Sequence, residues 1–319
     1  LASEFALIAR YFSPRTTHTV LAGGDDAALV SVAPGMELAV STDMLVGGRH
    51  FFAKADAYGV GHKSLAVNLS DLAAMGATPR WVTLSLALPS ADEPWIEAFA
   101  AGFLDLAAEH RVDLVGGDTT GGPLNICVQI MGEVPAGQAL RRTGARPGDG
   151  VWVSGRIGDA ALGLLHLRGE LALDAGEAED AVHRLERPTP RVALGQALRS
   201  VASAAIDVSD GLVADLGHIG ERSAVRVVIE ALRVPVPSVV RTRAATHPHL
   251  LAAALTGGDD YELCFTAPAA QRDALHTISM RLGLPLTEIG RIEAGAGVEV
   301  LDAQGRALAL AQRGFDHFG

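Results

Sequence analysis

An α/β or α+β fold in two domains is what the sequence predicts, and three observations carry that expectation. Strand-like and helix-like apolar periodicities alternate along the whole chain. Its 319 residues exceed what one ordinary domain needs. The stretch RRTGARPGDG at Arg141–Gly150 interrupts the alternation with Gly, Pro and Arg, and a fresh strand and helix follow it. The expected domains are therefore 1–140 and 141–319.

Leu1–Tyr11 reads as a short amphipathic helix closed by Pro14, and MELAVSTDMLV at Met36–Val46 as a strand that ends at Asp43. Tyr58–Met75 carries Leu65, Val67, Leu69, Leu72 and Met75, a helical pattern stopped by Gly76 and Pro79. WVTLSLALP at Trp81–Pro89 alternates as a strand. Ser90 and Glu93 spell a capping box for a helix running to about His110. VDLVGGDTTGG at Val112–Gly122 reads as a strand that breaks at a glycine-flanked acid, and LNICVQIMGEV as the next strand. In the second half VWVSG reads as a strand and GDAALGLLHLRG as a helix. AAIDVSDGLVADLGHI at Ala204–Ile219 reads as strand, helix cap at Ser209, then helix. GGDD occurs twice, at Gly23 and Gly257, but the halves do not otherwise align as a repeat.

Composition narrows the function. Hydrophobic residues make up 49% and aromatics 5%, so the core is built mainly from Ala, Val and Leu. A net charge of −11 with no basic block argues against a protein that reads nucleic-acid backbones. It leaves room for small phosphorylated ligands, because a metal inverts the local sign. Cys127 and Cys264 are too few for a disulfide scaffold and read as small buried hydrophobes in a reducing compartment. With no 18-residue uncharged apolar span and no basic-then-apolar leader, neither a membrane span nor an export signal is supported, and a cytoplasmic enzyme is expected.

The chemistry-bearing pattern is a recurrence. Asp26, Asp43, Asp71, Asp118, Asp207 and Asp210 each sit at or near the end of an apolar segment, most beside Gly, Ser or Thr. One such acid is ordinarily a cap or a turn former; six over both halves are harder to explain that way. Crowded carboxylates need cations, and an oxygen-only ligand set suits Mg²⁺, which in turn suggests phosphoryl groups. GGDTTGG lets the backbone approach a ligand and offers N–H donors to anions. No P-loop, no protein-kinase set and no dinucleotide fingerprint is present. The histidines, among them His50, His62, His110, His166, His183, His218 and His317, form no zinc motif, and Ser209 has no histidine partner for a triad.

In order from Gly23 to Phe318, the stretches GGDDAALV, AVSTDMLVGGRHF, AVNLSDLAAMGATPRW, LVGGDTT, RRTGARPGD, RPTPRV, AIDVSDGLVADLGHI, GGDDYELCF and RGFDHF closely resemble the thiamine-monophosphate kinases of the aminoimidazole ribonucleotide synthetase-like (PurM-like) superfamily. The resemblance implies a two-domain fold: an N-terminal α/β domain whose strands join a partner's in a barrel across a homodimer, and a C-terminal α+β domain. It implies Mg²⁺ ligands at Asp26, Asp43, Asp71, Asp118, Asp207 and Asp210, with Ser41 and Thr42 beside them. It implies ATP contacts at Gly117, Asp118, Arg142 and Ser209, and contacts to thiamine monophosphate at His50, Asp259 and Phe315. The implied reaction moves the γ-phosphoryl of ATP directly onto the phosphate of thiamine monophosphate, with no general base and with metal assistance through Asp43, Asp71, Asp118 and Asp210.

Two positions depart from the family pattern. Asp259 stands where a glutamate is usual, one methylene shorter, and Arg49 falls where the family varies, as a phosphate ligand or a surface residue. Among alternatives, selenophosphate synthetases and the hydrogenase-maturation relatives want a reactive cysteine near one terminus, which this chain lacks. Phe315 and GGDDYEL favour the thiamine reading over aminoimidazole ribonucleotide synthetase. A silent nucleotide-binding protein would have lost one of the six acids.

Overall fold

A computed structural model describes residues 4–244, 246–311 and 314–315. The terminal motif RGFDHF lies outside the described residues apart from Gly314 and Phe315, and His317 lies outside them too. The chain divides into two compact units, one of Leu1–Leu72 with Ala77–Gly137, the other of Ala73–Gly76 with Gln138–Gly319. No helix among the described residues is long and apolar enough to cross a membrane.

The first unit contains α1 (Glu4–Tyr11), β1 (Met36–Val46), α2 (Ala57–Ala74), β2 (Thr78–Leu88), α3 (Glu93–Glu109), β3 (Asp113–Gly121) and β4 (Asn125–Pro135). Its sheet has four strands in the order β1-β4-β2-β3, with β2 and β3 parallel and the other pairs antiparallel. The sheet is open, with β1 and β3 at its edges. One face buries Ile126, Val128 and Ile130 of β4 with Leu84 and Leu86 of β2. Leu65, Leu69 and Leu72 of α2 are also fully buried, and Leu72 packs on Gly132 of β4. α2 and α3 cross backbone to backbone, since a Cβ on Gly61 or Gly102 would stand 2.0 Å from the Phe99 or Tyr58 carbonyl oxygen.

Three local expectations are corrected here. β1 does not end at Asp43; pairing with β4 continues through Val46 opposite Asn125. The strand over Asp118 does not break, because Asp118 pairs with Ser85 inside the β2–β3 ladder. Helix α3 is capped by Asp92, whose carboxylate accepts from Trp95 N–H, rather than by the Ser90 capping box. Asp92 has Pro94 just behind it, in a position where the missing N–H costs nothing.

The second unit runs β5 (Gly150–Ser154), α4 (Asp159–Leu167), α5 (Ala175–Glu186), α6 (Val192–Leu198), β6 (Ala204–Asp207), α7 (Leu212–Ser223), β7 (Arg226–Glu230), α8 (Ser238–Thr242), α9 (His249–Thr256), β8 (Leu263–Ala267), α10 (Arg272–Leu282), β9 (Leu286–Glu293) and β10 (Gly297–Leu301). Six strands lie in the order β10-β7-β9-β5-β8-β6, antiparallel except for β10 beside β7. The mostly antiparallel sheet gives this unit its α+β character. Val151, Val153, Ile206, Leu212, Leu216 and Ile289 form part of one continuous apolar core.

Candidate active site

In the first unit, alternation along β1 turns Ser41 and Asp43 toward the less exposed face and Thr42 toward solvent. Ser41 Oγ donates to Asp71 Oδ2 from α2. Asp43 N–H donates to Oδ1 of the fully buried Asn68 at 3.2 Å, and Asn68 in turn donates to the Ser64 carbonyl at 3.0 Å. Strand and helix are thus tied where their oxygens meet. His50 closes the turn after β1, its Nδ1 accepting from Val46 N–H at 2.9 Å; that bond places the ring proton on Nε2. Arg49 is exposed in the same turn. Asp26 sits on an exposed segment, its N–H bonded to Asp25 Oδ1.

Gly117 and Asp118 lie within β3. A Cβ on Gly117 would stand 1.8 Å from the Leu84 carbonyl oxygen, and its φ is +150°, so only glycine brings the strand this close. The register runs Asp43–Val128–Leu84–Gly117 in one row and Met44–Cys127–Ser85–Asp118 in the next. Paired residues share a face, so Asp43 and Asp118 project from opposite faces, on strands three spacings, about 14 Å, apart. Within one chain they do not reach the same ion.

In the second unit four expected residues are drawn together by backbone bonds. Asp259 N–H donates to the Ser209 carbonyl at 2.9 Å, and Phe315 N–H to the Asp210 carbonyl at 3.0 Å. Asp207 ends β6, paired with Leu263. Asp259 has a left-handed φ of 69° and accepts from Tyr261 Oη at 3.0 Å. Arg142 is not gathered with them by its backbone: its carbonyl accepts from Ser223 Oγ at the far end of α7, a helix of 12 residues and so about 18 Å long.

Ser209 is not the helix cap. Gly211 occupies that position, and Asp215 accepts from the N–H groups of Ser209, Asp210 and Gly211 at 3.0, 3.1 and 3.1 Å. Burial pushes the Asp215 carboxyl up to about 7, with the nearby Asp207 and Asp210 charges adding to the rise. Asp215 and Asn68 were not among the expected site residues. The one available signal was an acid a turn beyond the Ser-Asp-Gly stretch.

The donor set fits a hard cation: carboxylate and hydroxyl oxygens, with no histidine or thiol among them. Among the described residues no three His, Cys, Asp or Glu side chains converge as a ready metal cage. Mg²⁺ ordinarily takes one or two carboxylates and completes its shell with water and phosphate oxygens, so a pair such as Ser41 and Asp71 suits it.

A fold of two units that carries carboxylates on β1, α2, β3 and the end of β6 marks a class of proteins. Residues 24–134 match the AIR synthase related protein N-terminal domain and residues 146–303 its C-terminal domain. The thiamine-monophosphate kinase of Salmonella typhimurium is 46% identical over 99% of this chain and 98% of its own length. The crystal structure of thiamine-monophosphate kinase from Stenotrophomonas maltophilia is 50% identical, covers 95% of each chain and superposes with a TM-score of 0.85. A structure of AaThiL complexed with AMPPCP and TMP is 33% identical over 92% of this chain and 91% of that one, with a TM-score of 0.78. The chain belongs to the thiamine-monophosphate kinase family.

Proposed function

We propose that the protein transfers the γ-phosphoryl group of ATP directly to the phosphate of thiamine monophosphate, giving thiamine diphosphate. The observation that carries this reading is the gathering of Ser209, Asp210, Asp259 and Phe315 by two backbone hydrogen bonds, in a chain related over its full length to thiamine-monophosphate kinases. Phe315, half exposed, offers a ring face to the thiamine heterocycles, and Asp259 a hydrogen-bond acceptor. His50 offers its Nε2 proton to the acceptor phosphate, and Arg142, Gly117 and Ser209 hold ATP.

The acceptor phosphate is already ionised near neutral pH, so the site needs no general base; it needs like charges brought together in line. Bound Mg²⁺ would neutralise the phosphate oxygens, held by Asp26, Asp43, Asp71, Asp118, Asp207 and Asp210 with Ser41 and Thr42. Ser41 and Asn68 keep the β1 and α2 oxygens in register. A homodimer in the cytoplasm completes the reading. Met36, Leu38, Val40 and Met44 leave one face of β1 apolar and 36–54% exposed, a surface suited to a second copy, and Asp118 belongs to that same face. We assign Asp118 to the partner's site, where it can serve an ion that the chain's own Asp43 cannot share with it.

The test is an incubation with ATP and Mg²⁺ and, separately, thiamine, thiamine monophosphate or an aminoimidazole precursor. The diphosphate should form from the monophosphate alone, with inversion at a chiral γ-phosphorus. Product from thiamine but not from its monophosphate would overturn the reading, and retention of configuration would overturn direct transfer.

A further inference from the structure

The second unit holds a cavity of about 280 Å³ whose polar wall sets four arginines, Arg156, Arg184, Arg187 and Arg191, against four carboxylates, with His183 beside them. Two of these come from RPTPRV, a motif that the proposed transfer leaves without a task. Pro188 and Pro190 restrict the backbone between them.

The arginines are held, and their charge is not fully spent. Arg156 grips the buried Asp159 through Nε at 2.6 Å and Nη2 at 2.7 Å. Arg191 grips the buried Glu262 in the same two-pronged way, with Nε at 2.7 Å. Each fork fixes one edge of a guanidinium and leaves the other N–H groups for a further acceptor. Arg184 stands 3.6 Å from the Asp159 carboxylate that Arg156 already occupies, so one carboxylate faces two cations there.

Two further acids line the cavity. Asp180 is 72% exposed and lies 3.6 Å from Arg156, so water screens it. Asp260 turns both oxygens to the Gly158 N–H, at 2.8 and 3.0 Å. Burial lifts its carboxyl well above the usual range, which weakens it as a counter-charge. Arg156 and Arg184 therefore share the single Asp159 carboxylate, with the exposed Asp180 as their other neighbour, beside a space large enough for a tetrahedral oxyanion and its substituent.

The cavity is separate from the substrate residues already assigned. Asp260 and Glu262 line it, whereas their neighbours Asp259 and Tyr261 do not and instead bond to each other.

We infer that this arginine-lined cavity is an anion subsite that takes a phosphate dianion, free or as the phosphoryl group of a small metabolite. Guanidinium forks already aligned by carboxylates lose little freedom in accepting phosphate oxygens, and Arg184, which shares Asp159 with Arg156, supplies charge that one carboxylate only partly matches.

The test is calorimetric titration of the full chain with inorganic phosphate in EDTA without nucleotide, so that metal-dependent binding at the transfer site is silent. Saturable one-site binding is expected, weakened about tenfold in Arg184→Gln and unchanged in Asp43→Asn. The circular dichroism and melting temperature of Arg184→Gln should match the parent, because Arg184 lies on the surface of α5. Glycerol phosphate competing with inorganic phosphate assigns the site to phosphorylated metabolites; failure to compete restricts it to the free ion. Absence of saturable binding at tens of millimolar, or equal binding by Arg184→Gln, overturns the inference.

Discussion

Asp43 is positioned from behind: its N–H is bonded to Asn68, and its row in the sheet is anchored by the fully buried Val128. Both of these contacts are made by its backbone and leave the carboxylate's task to the site. Asp43→Asn should lower kcat by about 100-fold, on the order of 3 kcal/mol of transition-state stabilisation, with the melting temperature within a few degrees of the parent. An equal loss of activity and stability would make Asp43 structural. The six acids stand out in the sequence because each lies at or near the end of an apolar segment, most of them beside Gly, Ser or Thr. Asp215 and Asn68 were not, since their task is to bind the backbone of a turn or strand, and a residue chosen for that leaves no periodic trace. Ser209 has the sequence of a cap without being one, for a related reason. A carboxylate from within α7 takes the N–H groups of Ser209, Asp210 and Gly211, and the helix starts only after Gly211.

At the scale of elements, the segment carrying Asp26 is pinned at both ends by buried carboxylates. Asp113, at the start of β3, accepts from Thr17 N–H and Oγ, His18 N–H and Thr19 Oγ at 2.7–3.1 Å. Glu133 of β4 accepts from Ala33 N–H at 2.7 Å and from Arg80 at 2.8 Å. Burial alone would raise the Asp113 carboxyl, but the hydrogen bonds from Thr19, His18 and Thr17 outweigh it and hold it below its ordinary 3.8. A depressed carboxyl contributes stability that is complete above its unfolded value and is lost as pH falls through the folded one. The parent should therefore lose stability below about pH 4, as read by urea titration across pH. Asp113→Asn should be less stable by about 2 kcal/mol at neutral pH and flatter in acid. Equal acid sensitivity in both would remove Asp113 from that role.

Gly117 gives the second prediction at this scale. Gly117→Ala should cost about 3 kcal/mol, because the β2–β3 ladder has no room for a methyl group; a loss under about 1 kcal/mol would show that the strands can part there. Strand and helix types were legible from apolar period, whereas their ends were not. β1 and β3 run on past their acids because a neighbouring strand keeps supplying hydrogen-bond partners, and that ladder is a long-range property.

For the whole molecule, the alternation of strands and helices in the sequence anticipated the mixed fold, while pairing of two chains entered only through resemblance. The apolar face of β1 is the surface on which the proposed pairing rests. Val40→Asp should shift the protein to monomer in sedimentation velocity; a dimer of unchanged strength would place the interface elsewhere. Placing Asp43 and Asp118 on opposite faces adds a sharper test. Mixing inactive Asp43→Asn and Asp118→Asn chains should restore about a quarter of parental activity, since half the reassorted dimers carry one intact site. No recovery would put both acids in one chain's site.

The uncovered β1 face also bears on how the protein behaves when scarce. If each chain borrows an acid from its neighbour, turnover per chain falls on dilution, in direct proportion to concentration once most pairs have dissociated. The cell then has a threshold of abundance below which newly made protein is folded but idle.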